Sequence, residues 1–158
     1  QALVDADKIL VLGTGVCSGV ATYLDYGLKL IALPSSLAAT GGVPLAVALS
    51  HLNERSIVVG FGVWRYIKSV VNAMAYAHQL GVRLIAITDS PVSPLCNDAE
   101  FTFIVPTEGA GHTLSMIGMM SVANALQVMI SHLRPQKTVQ ALQRVDEVYL
   151  FGDLLVAD

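Results

Sequence analysis

A chain of 158 residues suits one domain with a substantial core. Its net charge of −3, with no cluster of Lys or Arg, argues against nucleic-acid binding by this segment itself. At 54% apolar and only 13% charged, against a usual charged share of about 25%, it carries more apolar surface than a lone small domain buries. Part of that surface is expected to meet another subunit or domain.

Residues 2–6 read as the end of a helix whose start lies upstream, so the chain is expected to be a piece of a longer protein. The first residues carry acids and no long apolar run, unlike a signal peptide. Five short apolar, β-branched runs follow, at 8–12, 29–33, 56–59, 82–87 and 101–105. Continuous runs of this kind fit parallel strands covered on both faces, and helix-patterned segments separate them. The expected fold is a doubly wound α/β sheet of five parallel strands, in the flavodoxin-like order 2-1-3-4-5, as one domain over 1–158.

The first strand leads into Gly13-Thr14-Gly15-Val16-Cys17-Ser18, with a further glycine at 19. Thr14 and Ser18 offer hydroxyls to an oxyanion at a helix N-terminus. The spacing is one residue longer than G-x-G-x-x-G, and Leu33-Pro34-Ser35 closes the second run without an acid. A small phosphate or sulfate-like group fits better than a nucleotide, and no cofactor is expected. A helix N-terminus lowers the pKa of Cys17, although a packing role is the stronger reading. Cys17 and Cys96 lack CxxC spacing and suit reduced thiols in a cytoplasmic protein. Ser35, Ser36 and Thr40 follow the second run, where they line the pocket or merely turn the chain. A helix over 42–52 comes next, with Pro44 in its first turn.

After the third run stands Gly60-Phe61-Gly62-Val63-Trp64-Arg65-Tyr66. It brings two glycines, a guanidinium and large aromatics, but no Ser or Thr. Arg65 suits bidentate contact with a phosphate. Trp64 or Tyr66 suits stacking on a ligand, with a packing anchor the stronger reading for Trp64. In the following helix Ile67, Val70, Val71, Met74, Ala77 and His78 share the apolar face, so His78 is expected in the core, and Gly81 caps the end.

Residues 109–133 contain no Asp, Glu, Lys or Arg. The polar stripe Asn124, Gln127 and Ser131 and the five strands outweigh a membrane span. A helix buried on most sides is expected, with Met116, Met119, Met120 and Met129 filling a subunit contact. A last helix over 138–149 keeps Gln140, Gln143, Arg144, Asp146 and Glu147 on its wet side. Isomerising a sugar phosphate needs a base and an acid. Of the candidates His51, Glu54, Glu108 and His112, none forms a pair placeable in the pocket, and no His, Cys, Asp or Glu spacing suggests a metal.

The strand-GTGVCS-helix opening, the VVGFG loop and the segment GVRLIAITDSPVSPL, with Gly81, Thr88, Asp89, Ser93, Pro94 and Leu95, resemble the SIS (sugar isomerase) domain over about 6–105. The WRY variant of the second loop resembles the effector domain of RpiR-type bacterial transcriptional regulators. The resemblance implies a sugar-phosphate-sensing domain that follows a helix-turn-helix and reaches DNA only through it. Self-association as a dimer or tetramer is expected from the apolar surplus, and no membrane partner. The alternatives are a phosphosugar isomerase or its inactive relative, and an assembly module that binds no ligand. Ser18 matches the family's first phosphate-binding Ser. The family's S-x-S-G-x-T loop is matched only in placement and glycines, since Gly60, Gly62 and Trp64 stand on hydroxyl ground. The expected ligand-binding set is Thr14, Ser18, Ser35, Ser36, Gly62, Arg65 and Thr88.

Overall fold

A computed structural model describes residues 1–154. In chain order the elements are α1 (Ala2–Asp5), β1 (Lys8–Leu12), α2 (Ser18–Leu30), β2 (Ser35–Ala38), α3 (Val43–Ser50), β3 (Ser56–Gly62), α4 (Lys68–Gln79), β4 (Arg83–Thr88), β5 (Phe101–Ile104), α5 (Ile117–Leu133) and α6 (Pro135–Phe151). Short 3₁₀ turns at Gly15–Cys17 and Pro94–Cys96 complete them. All neighbouring strands pair in parallel, in the order β2-β1-β3-β4-β5. This is the expected doubly wound α/β sheet.

Odd and even strand positions feed two cores, as the two-residue strand period requires. Ile9, Val11, Ile57, Val59 and Phe61 pack under α2 and α5. Leu10, Leu12, Val58 and Leu84 pack under α3 and α4. No helix among the described residues is long and apolar enough to cross a membrane.

The second predicted strand is corrected. Residues 29–33 are the end of α2 and its turn, and β2 begins only at Ser35. Leu24, Leu28 and Ile31 continue the buried stripe of the helix at spacings of four and three. The helix then closes on itself: Leu33 N–H donates to Leu28 O at 2.9 Å and Ala32 N–H to Lys29 O at 2.9 Å. That is a Schellman cap, with Ala32 at φ 53° where glycine usually stands.

Two further expectations change. β3 runs on through Gly60, Phe61 and Gly62, so these residues are strand and the loop starts at Val63. β5 is not covered on both faces: all four of its residues are exposed at the sheet edge. Within the charge-free segment 109–133 the helix runs from Ile117, and Gly109 and Gly111 lie in an irregular stretch, as their poor helix propensity requires.

Two members of the polar stripe of α5 bond α2 at a partly solvated seam. Tyr23 Oη donates to Asn124 Oδ1 at 3.1 Å, and Gln127 Nε2 donates to Tyr23 O at 3.3 Å. Met119 is wholly buried in its own chain's core, so it fills no subunit contact, whereas Met120 and Met129 stay exposed. His78 is exposed, 3.9 Å from Asp98, and is not a core residue.

Candidate functional site

β1 and β3 lie side by side at the point where strand order reverses, and their carboxyl ends open onto two neighbouring loops. Between the loops is a hollow of about 90 Å³. The first crossover lines it with Thr14, Val16 and Cys17. The third lines it with Gly62, Val63, Trp64, Arg65 and Ile67, and Leu95 and Leu114 close the sides. Both loops therefore face one crevice.

Thr14 holds the extended conformation before the 3₁₀ turn, and its carbonyl accepts the Cys17 N–H at 3.2 Å. Its Oγ1 is buried and has no hydrogen-bond partner in the protein. A buried hydroxyl without a partner is costly, and such groups cluster where a ligand or solvent completes the bonding. The N-terminus of α2 follows directly, after a turn in which the Cys17 and Ser18 N–H groups are bonded back to Thr14 O and Gly15 O.

Arg65 is exposed and makes no ion pair among the described residues. Its guanidinium carbon lies 4.3 Å from the centroid of the Trp64 ring. Trp64 is 63% exposed, so it is neither a packing anchor nor a plug in the hollow. Its φ is 56°, in the left-handed region that a bulky side chain rarely occupies.

Of the seven expected ligand residues, the crevice gathers Thr14, Gly62 and Arg65. Ser18 starts α2 beside it, but its Oγ donates to Gly15 O at 2.7 Å, which commits its one proton. Thr88 is fully buried between strands and donates to Gly62 O at 2.7 Å. Ser35 and Ser36 do not follow the second strand; they begin it, paired with Ile9 and Leu10. Ser35 Oγ donates to Asp25 Oδ1 at 2.6 Å, and Ser36 Oγ lies 3.4 Å from Ile9 O. Both hydroxyls serve the sheet and α2, not the crevice.

The glycines of the second loop answer to packing. A Cβ on Gly60 would stand 2.6 Å from Met74 Sδ, and one on Gly62 2.9 Å from Leu95 Cδ2. Tyr66 is also committed: its Oη donates to Asp89 Oδ1 at 2.9 Å. The other carboxylate oxygen of Asp89 accepts the Trp64 N–H at 2.8 Å. Asp89 thus shapes the site, although it was not among the expected residues. Its signal was an acid directly after the fourth strand, in the Thr88-Asp89-Ser90 run.

Cys17 departs from expectation. Burial, and then the charge of Asp89, push its thiol from 9.0 up to about 11, against a smaller lowering by a hydrogen bond from the Val63 backbone. The helix N-terminus does not prevail, because the sulfur is out of water. The acid/base candidates lie elsewhere: Lys8 Nζ reaches His51 O at 3.4 Å, at the amino-terminal edge of the sheet, and Glu108 and His112 are exposed outside the crevice. Among the described residues, no group of three His, Cys, Asp or Glu is placed to hold a metal.

The family model for the SIS domain matches residues 2–129. The sugar isomerase domain of an RpiR transcription factor from Sphaerobacter thermophilus is 34% identical, with a TM-score of 0.89 over 92% of this chain and 82% of that one. The Vibrio vulnificus NanR protein, solved with ManNAc-6P, has a TM-score of 0.85 at 20% identity; the match covers 99% of this chain but 59% of NanR. The c3406 protein of E. coli CFT073, also solved as a complex, has a TM-score of 0.72 at 17% identity over 87% of this chain and 79% of that one. The last two establish the shared fold. No curated protein matches the chain. With most of its length matched by the family model, and with a third of its residues identical to the RpiR sugar isomerase domain, this chain belongs to the SIS domain family.

Proposed function

We propose that this domain senses a small sugar phosphate, or a related anion, for a bacterial transcriptional regulator. The observation that carries the reading is the pairing, across one crevice, of the orphaned Thr14 hydroxyl with the unpaired Arg65 guanidinium. A phosphate seated there gains a hydroxyl donor and a charged fork. The RpiR transcription factor and the NanR complex with ManNAc-6P support the role and the ligand class.

Sensing is favoured over isomerisation by the lining. Moving a proton between sugar carbons needs a base within hydrogen-bond reach. The crevice offers Arg65, whose guanidinium has donors and no acceptor, and Cys17, whose thiol is held neutral far above pH 7. In the full protein a helix-turn-helix would precede this domain, and DNA would be contacted only there. Self-association as a dimer or tetramer would couple the two, since ligand that prefers one subunit arrangement shifts the population toward it. The exposed apolar residues of β5 and α5, Phe101, Ile104, Met129 and Leu133, support a subunit contact.

Calorimetric titration with a panel of hexose and pentose phosphates tests the reading. Wild type is expected to bind at least one. Arg65→Ala should weaken that binding by about tenfold or more, the worth of a charge-assisted hydrogen bond. Its melting temperature should not move, because Arg65 is exposed and unpaired. No binding across the panel would reject the sensing role. Undiminished binding by the variant would reject the place of Arg65.

A further inference from the structure

The loop after β3 is held in an unfavourable shape by one side chain. Trp64 takes a left-handed backbone at φ 56°, and nothing in its own side chain stabilises that choice: the ring is largely in solvent, under the Arg65 guanidinium. Asp89, at the carboxyl end of β4, meets the loop with both oxygens. One accepts the Trp64 N–H at 2.8 Å, the other the Tyr66 hydroxyl at 2.9 Å. The two bonds bracket Arg65 on both sides. The base of the carboxylate is itself fixed, since the preceding Thr88 is fully buried and bonded to Gly62 O at 2.7 Å.

We propose that Asp89 is the positioning residue of the site: it clasps Trp64 and Tyr66 so that Arg65 is held at the mouth of the crevice. This rests on the anion-site reading above. The clasp also carries a cost for an anion, because the Asp89 charge lies near enough to the crevice to raise the Cys17 thiol. A carboxylate close to the hollow repels an anion held there, and the two donated bonds only partly offset that. Geometry and charge therefore act in opposite directions at one residue, and substitution separates them. Asparagine keeps an acceptor for the Trp64 N–H and can donate its amide to the Tyr66 oxygen, so D89N retains the clasp without the charge. Alanine removes both.

The test combines amide hydrogen exchange at Trp64 with phosphate titration, on wild type, D89A, D89N and Y66F. In D89A the Trp64 amide should exchange about tenfold faster, having lost a bond to a charged acceptor, while the Val58 amide in the sheet stays protected. D89N should stay near wild type, and Y66F, which loses one of the two bonds, should fall between. Inorganic phosphate should bind D89A more weakly than wild type and D89N at least as tightly. Y66F keeps the test open should D89A fold poorly. Unchanged Trp64 exchange in both D89A and Y66F overturns the clasp. Faster exchange with phosphate affinity intact overturns its positioning role. Absence of phosphate and sugar-phosphate binding by wild type, with exchange still dependent on Asp89, overturns the anion site but not the clasp.

Discussion

Thr14 shows how a single atom can mark a site. Its hydroxyl is buried and unbonded, while the hydroxyls of Ser18, Ser35 and Thr88 each have a protein acceptor. Thr14→Val keeps the shape and removes the orphan. It is expected to stabilise the ligand-free domain by about 1 kcal/mol, within the range for relieving an unsatisfied buried group, and to weaken sugar-phosphate binding. Urea unfolding and calorimetry check the two halves; a loss of stability would mean that the hydroxyl already has a partner. Cys17 makes a pH prediction. Its folded pKa is raised from 9.0 to about 11, so the folded state holds the proton more tightly than the unfolded state. The corresponding stability is complete below pH 9, declines between pH 9 and about 11, and is lost above. Alkylation of native Cys17 should be slow at pH 8 and speed up toward pH 11. Rapid labelling at neutral pH would show that the thiol is not desolvated.

At the scale of elements, most of the sheet was legible and one strand was not, for a local reason. β1, β3 and β4 are buried apolar runs, and the periodicity of α4 with its Gly81 cap reads directly from the sequence. β2 is an edge strand of sequence Ser-Ser-Leu-Ala, too polar to announce itself beside Leu28, Ile31 and Leu33. The helix stop that would have separated them carries Ala32, not glycine, at the left-handed position. The same misplacement turned Ser35 and Ser36 into candidate ligands. Ala32→Gly tests the explanation: it removes the left-handed penalty and should raise stability by up to about 1 kcal/mol, part of which the freer unfolded chain takes back. A destabilised variant would show that the cap is not strained by alanine. The GFG motif has a related ambiguity: its glycines are strand residues that make room for Met74 and Leu95, and Gly62 also lines the crevice. Spacing along a chain cannot tell these uses apart, because the deciding atoms come from other elements.

The whole molecule leaves one expectation to experiment: apolar composition implies a covered surface. β5 is exposed along its length, and Phe101, Phe103, Met129 and Leu133 stand near one another around a hollow beside α1. The purified domain is expected to run as a dimer or larger in size exclusion with light scattering, and Met129→Glu should shift it toward monomer by placing a charge in the contact. A wild-type domain that stays monomeric at high concentration would contradict the assignment. The fold and family were accessible from sequence because they rest on patterns repeated over the whole chain. The site was only partly accessible. Thr14 and Arg65 follow from the loop positions, while Asp89 acts across 25 residues of sequence and becomes visible only when β3 and β4 are set side by side.

Amide chemical-shift mapping during titration with sugar phosphates tests the central claim most directly. Binding at the reversal point predicts the largest shifts in residues 13–18 and 63–67, with little change at the amino-terminal edge of the sheet. Saturable shifts that avoid both loops, or none with any phosphate tried, would contradict it.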